Sequence, residues 1–205
     1  MEANIKLLHG VKIGFGITSS LCTLDAVAEQ LTALCEMGAD IYPIVSPGIL
    51  EEASRFHHPD EFAAQIRAIT GREAIRTIAD AEPFGPANPL DIMVIAPATG
   101  NSIAKLAHGI WDTPVLMAAK ATLRNQRPVL LAPFTNDALG MNGENIMRLY
   151  NTKHIYFVPF GQDDPLNKPT SMTADLGRLA VAVMCALDAR QLQPAIIANE
   201  CRGGL

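Results

Sequence analysis

Aromatic residues are scarce in this chain, at 5% of the total, so its core has to be built from aliphatic side chains. An excess of charge of one sign is also missing. Lys and Arg number 16 against 21 Asp and Glu, a formal net charge of −5, with no block of like charge and no basic patch. That balance excludes binding to nucleic-acid phosphates or to an anionic membrane. No apolar run approaches the ~20 residues of a spanning helix. Met1 to Gly10 lacks the long apolar core of a signal peptide. The four cysteines, Cys22, Cys35, Cys185 and Cys201, form neither a CxxC pair nor a zinc-finger spacing. Together these absences predict a cytoplasmic protein with reduced thiols, Cys201 in the tail being the candidate for exposure.

What is present is an alternation. The 205 residues are 49% hydrophobic and rich in Ala, Ile, Leu and Val, a composition suited to helices packed on a parallel sheet. Residues 11–17 read as a strand, followed by the polar turn Thr18-Ser19-Ser20. Residues 21–37 carry Leu24, Val27, Ala28, Leu31 and Leu34 at helical spacing, with Gly38 as C-cap. Residues 39–45 predict a second strand, 59–70 an amphipathic helix and 80–89, with three prolines, a loop. Further strands are predicted at 90–96, 113–118, 128–132 and 155–158, and helices at 100–110, 139–150 and 173–192. Residues 160–169, polar and Pro-bearing, read as a loop. The alternation implies one doubly wound parallel sheet with right-handed crossovers, a three-layer α/β/α single domain over residues 1–205.

The most informative stretch follows the strand at 90–96, where Pro97-Ala98-Thr99-Gly100-Asn101-Ser102 opens through small polar residues into a helix. In open α/β sheets the crevice outside the carboxyl ends of the strands is where ligands sit. The first turn, Gly14-Phe15-Gly16-Ile17-Thr18-Ser19-Ser20, departs from the GxGxxG dinucleotide fingerprint by placing Ser19 at the third glycine position. Gly16, Thr18, Ser19 and Ser20 suit a terminal monophosphate beside a helix N-terminus, although the same hydroxyls can serve as ordinary N-caps. Ser46 ends the second strand and Asn136 follows the strand at 128–132, each an ordinary turn residue in isolation. Four strand ends with small polar residues on one sheet edge fit a planar cofactor with a phosphate tail.

Other chemistry-bearing residues point nowhere in particular. His57-His58 lacks a third metal ligand at suitable spacing. His108 and His154 read as packing or surface residues. Lys105, Lys120 and Arg124 could meet an acidic substrate but default to solvated cations, and Asp163-Asp164 reads as a solvated pair. No Ser/His/Asp order or activated Cys/His pair emerges, and no metal site.

Ala96-Pro97-Ala98-Thr99-Gly100-Asn101-Ser102-Ile103-Ala104-Lys105 resembles the PASANT-type motif of the flavin-dependent cysteine decarboxylase superfamily. Pro133-Phe134-Thr135-Asn136 resembles its PxMN motif, with Thr135 in place of Met. Over almost its full length the chain is similar to one branch, the family of dipicolinate synthase B subunits. That likeness rests on the Gly14 to Ser20 turn, Pro97 to Ile110, Asp112 to Arg124, Thr135 to Gly140, Asn145 to Leu149 and Pro159 to Asp163. The resemblance implies a flavodoxin-like fold and bound FMN, contacted by Gly16, Thr18, Ser19, Ser20, Ser46, Pro97, Ala98, Thr99, Gly100, Asn101, Ser102 and Asn136. It also implies homo-oligomers (trimers or dodecamers) and a partner, the A subunit of dipicolinate synthase, which is a dehydrogenase carrying NAD(P). The reaction implied is oxidation of (4-hydroxy-)tetrahydrodipicolinate to dipicolinate in the mother cell of a sporulating bacterium. Two departures stand out. The superfamily's decarboxylases carry a histidine shortly before the Asp that opens the PASANT strand, where this chain has Pro83. Their substrate-clamping cysteine segment is absent, residues 160–169 having no Cys. These departures leave open a cofactor-free partner role, and a stand-alone FMN-dependent decarboxylase or reductase is a third alternative.

Overall fold

The computed structural model describes residues 7–20, 23–51, 58–85, 87 and 89–198; His57, Cys22 and Cys201 lie outside them. Five parallel strands, β1 (Lys12–Ile17), β2 (Asp40–Val45), β3 (Ile92–Thr99), β4 (Val129–Thr135) and β5 (Ile155–Phe157), run side by side in the order β2-β1-β3-β4-β5. Their residues are apolar on both faces because both faces are covered. Ile13, Phe15, Ile17, the run from Ile92 to Ile95 and the run from Val129 to Leu131 are all at most 1% exposed. Ile13 sits between Ile41 and Ile92, and Leu130 between Val94 and Tyr156. The order reverses between β1 and β3, the switch point at which a flavodoxin-like sheet opens its ligand crevice.

Helices cover both faces. α1 (Leu24–Glu36) buries Leu24, Val27, Ala28, Leu31 and Leu34 and packs beside α8 (Leu179–Leu187). α6 (Pro114–Arg124) covers the other face, beside α4 (Ile78–Ala81). Its approach is close. A Cβ on Gly16 would stand 2.7 Å from Val115 Cγ1 and 2.7 Å from Met93 Cε, so a glycine is needed inside β1 for helix and strand to meet. α2 (Pro47–Glu51) and α3 (Pro59–Thr70) follow β2, α5 (Gly100–Ala107) follows β3, and α7 (Met141–Tyr150) follows β4 and packs on α5. No helix among the described residues is long and apolar enough to cross a membrane.

Four expectations from the sequence are corrected. Residues 113–118 are not a strand; they open α6, with Pro114 at its first position and the Thr113 hydroxyl accepting from Leu116 N–H at 3.2 Å. A Thr-Pro pair is a helix-start signal, and it overrides the apolar run that follows. Residues 160–169 are not all loop, since β6 (Phe160–Gln162) begins there. The helix expected over 173–192 begins only at Leu179, because Met172–Ala174 form β7 and a single 3-10 turn, Leu176–Arg178, intervenes. β7 pairs antiparallel with β6 and with the carboxyl end of β4, Phe134 facing Thr173 and Thr135 facing Met172. Residues 80–89 likewise carry the end of α4 and a 3-10 turn at Glu82–Phe84, which contains Pro83.

The correction at α6 has a measurable consequence. Replacing Thr113 with alanine removes the cap and should cost about 1 kcal/mol, lowering the melting temperature by roughly 2–4 °C in a chain of this size. Thermal denaturation of the variant checks this, and an unchanged melt would mean the hydroxyl does not cap the helix.

Candidate functional site

The carboxyl ends of β1, β2, β3 and β4 meet around two adjoining cavities, and short polar side chains hold the ends together. β3 carries one extra residue relative to β4: Ile95 faces Leu131 while Ala98 faces Pro133. Such a bulge re-aims the backbone, here at the cis Ala96–Pro97 bond. The Thr18 hydroxyl, 1% exposed, donates to the Pro97 carbonyl at 2.7 Å and accepts from Thr99 N–H at 3.1 Å. One buried hydroxyl thus staples the β1 turn to the end of β3. Beside it, the Ser19 and Ser46 hydroxyls lie 3.2 Å apart, as do those of Thr99 and Ser102.

The smaller cavity, about 300 Å³, lies among Ser19, Ser46, Thr99, Ser102, Lys105 and Thr113. No acidic side chain is among its described lining residues. Lys105 reaches it while paired with Asp112 at 2.8 Å. The larger, about 610 Å³, extends from Ser19, Ser20, Thr99, Gly100 and Asn101 across to Phe134 and Asn136. Its far wall comes from β7 and the loop before it, through Asp163, Lys168, Ser171 and Thr173.

The floor of the larger cavity is a polar knot. Asp137 accepts from the Thr135 hydroxyl and from Asn142 Nδ2, at 3.0 Å to one oxygen and 2.8 Å to the other. Asn142, 8% exposed, in turn accepts from Asn145 Nδ2 at 3.0 Å. Gly100, first residue of α5, is pressed against this knot. A Cβ there would lie 2.6 Å from Thr135 Oγ1, 2.7 Å from Asn142 Nδ2 and 3.0 Å from Asp137 Oδ1.

The residues singled out by sequence divide into two groups. Ser19, Thr99 and Asn101 line both cavities, Ser46 and Ser102 the smaller with Thr18, and Ser20, Gly100 and Asn136 the larger. Gly16, Pro97 and Ala98 line neither; they are buried beneath, Gly16 under α6 and Pro97 as the acceptor for Thr18. Asp137, Asn142, Lys168, Ser171 and Thr173 carried no signal, because only the β4–α7 connection and the antiparallel β6–β7 excursion bring them in. Of the remaining candidates, Lys120 and Arg124 are exposed on α6, away from the lining of both cavities. His108 caps α5 with its Nδ1 2.9 Å from the Ala104 carbonyl, and His154 pairs with Gln126 at 3.2 Å. Among the described residues no group of three His, Cys, Asp or Glu is placed to hold a metal. Asp164 is not merely solvated: side-chain and backbone hydrogen bonds from Asn167 hold its carboxyl below the usual range.

The sequence matches the Flavoprotein family model over residues 2–183. It is 52% identical over 192 residues to the dipicolinate synthase B subunit of Bacillus subtilis (strain 168), covering 94% of this chain and 96% of that one. The chain belongs to the dipicolinate synthase B-subunit family of flavoproteins. A crystal structure of a member of that family, from Bacillus halodurans C, superposes with a TM-score of 0.88 at 47% identity, covering 94% of this chain and 99% of that one. The FMN-dependent cysteine decarboxylase SpaF shares the fold at 20% identity and a TM-score of 0.59, covering 91% of this chain and 99% of that one. Pro83 of this B-subunit family member lies in the 3-10 turn Glu82–Phe84.

Proposed function

We propose that this chain is the FMN-binding B subunit of a dipicolinate synthase. The observation that carries this reading is the donor set of the smaller cavity: the hydroxyls of Ser19, Ser46, Thr99, Ser102 and Thr113 and the Lys105 ammonium, with no described acid among them. That set fits a phosphate monoester, and the two volumes fall in the range of cofactor clefts. The phosphate lies against the Thr18-Ser19 end of the first turn, above the buried Gly16, and against Ser46. Thr18 is committed to Pro97 and Thr99, so Ser19 makes the contact, with Ser20 beside it at the start of the larger cavity. Thr99, Gly100, Asn101 and Ser102 follow the ribityl chain, on a base formed by Pro97 and Ala98, and Asn136 reaches the ring. Bound there, a flavin supplies two-electron redox chemistry, which the side chains lining the clefts do not offer.

The 52% identity to a dipicolinate synthase B subunit supports the rest of the reading. The substrate, 4-hydroxy-tetrahydrodipicolinate, loses water and then a hydride and a proton to become pyridine-2,6-dicarboxylate. The hydride goes to NAD(P)+ on the dehydrogenase-like A subunit. The chain acts in the cytoplasm of a sporulating cell as a homo-oligomer, a trimer or a dodecamer.

Absorbance of the purified chain, with and without added FMN, tests the cofactor. A flavin band, or saturable binding at micromolar FMN, is expected. Absence of both would leave a cofactor-free partner, whose contribution shows when the dehydrogenase-like subunit is assayed with and without it.

A further inference from the structure

The β6–β7 excursion is added only to the carboxyl half of β4, through Phe134 opposite Thr173 and Thr135 opposite Met172. Its connecting loop is held in place over the larger cavity. Gln162 Nε2 donates to the Pro169 carbonyl at 2.8 Å, and Asn167 Nδ2 donates to Asp164 Oδ2 at 3.0 Å. The Thr170 hydroxyl donates to the Asn136 carbonyl at 2.6 Å, docking the loop on the β4–α7 connection. A loop fixed at both its base and its tip presents its side chains in set positions.

Two of those side chains, and Thr173 next to them on β7, are donors that face the cavity. Lys168 is the one cation among the described residues lining the larger cavity, and its ion pair with Asp163 is a loose 3.6 Å across partly solvated groups. Such a pair exchanges readily for another carboxylate. Ser171 is 1% exposed, yet its hydroxyl reaches Asn136 Oδ1 only at 3.5 Å, the outer limit of a hydrogen bond. Thr173 lines the same wall. The other acid, Asp137, is occupied by Thr135 and Asn142.

We propose that Lys168, Ser171 and Thr173 form a carboxylate subsite for a small aromatic dicarboxylate, Lys168 exchanging Asp163 for the ligand. The proposal rests on the dipicolinate synthase reading but makes a separate demand on the β7 wall. Asp163 competes for the same ammonium, so it acts as a built-in antagonist of ligand binding.

Calorimetric titration of the full chain with pyridine-2,6-dicarboxylate, with and without FMN, tests this. Lys168→Gln is expected to weaken binding about tenfold, the loss of one charge-assisted hydrogen bond. Ser171→Ala should weaken it less, and Asp163→Asn should tighten it severalfold. Lys168→Gln and Asp163→Asn, both at partly solvated groups, should leave FMN affinity and the melting temperature unchanged. Dicarboxylate affinity that is absent in the parent chain, or indifferent to both Lys168→Gln and Asp163→Asn, overturns the proposal. If these substitutions act as expected while FMN fails to bind, the flavin reading falls and the carboxylate subsite stands.

Discussion

Replacing Gly100 with alanine is expected to destabilise the protein by about 1–3 kcal/mol, the cost of overpacking a tightly filled site, and to weaken FMN binding. The direction is not obvious from local structure, because alanine in a helix is favoured over glycine by up to ~1 kcal/mol. The surroundings decide the sign. The new Cβ would meet Thr135 Oγ1 at 2.6 Å and Asn142 Nδ2 at 2.7 Å. Neither group is a loose side-chain end, since both are bonded to Asp137. Relief therefore comes either from breaking the knot or from pushing α5 outward. In both cases Asn101 and Ser102 shift relative to Ser19 and Ser46 across the smaller cavity. Thermal denaturation reads the stability and FMN titration the affinity. An alanine variant as stable as the parent would show that α5 does not press on the β4–α7 connection.

How far the sequence made this architecture legible follows from where each signal lies. The four strand ends were readable because a buried parallel strand is a near-continuous apolar run, and the small polar residues after it are conspicuous. Gly100, Asn101 and Ser102 stood out on that ground, and they do line the clefts. Residues 113–118 misled because Pro114-Val115-Leu116-Met117 is as apolar as a strand, while Thr113 and Pro114 together specify a helix start. Periodicity cannot separate the two over so short a run. Thr173 reads as helix for the converse reason: β7 is three residues long and makes sense only beside β4 and β6. Partners distant in the chain are invisible to local pattern. The second wall of the cleft depends on them, as does the contact between Gly100 and Asp137.

The donor–acceptor sense of the polar knot gives a sharper expectation still. Asp137 accepts from both Thr135 and Asn142, and Asn142 accepts from Asn145. Changing Asn142 to Asp sets a second carboxylate against the first across a gap now spanned at 2.8–3.0 Å. Two like charges so close cannot both stay ionised cheaply. That variant should lose about 2–4 kcal/mol at neutral pH, in the range for an uncompensated buried polar or charged group. Part of the loss should return as the pH falls, because the folded pair retains a proton that the unfolded chain releases; stability then rises toward acid. Changing Asp137 to Asn alone keeps the oxygen that Thr135 and Asn142 share but replaces the other acceptor, 2.8 Å from Asn142 Nδ2, with a second donor facing it. Making both changes reverses the polarity of the bond and restores it. The amide at 137 can still accept from Thr135 through its oxygen and donate to the carboxylate at 142, which continues to accept from Asn145. The double variant is therefore expected to be more stable than the sum of the single losses predicts, with a coupling of about 1–3 kcal/mol and with FMN affinity recovered in parallel. Denaturant unfolding of the four proteins at neutral and mildly acidic pH measures the coupling. Simple additivity would mean that the side chains at 135, 137 and 142 do not act as one unit beneath the cleft.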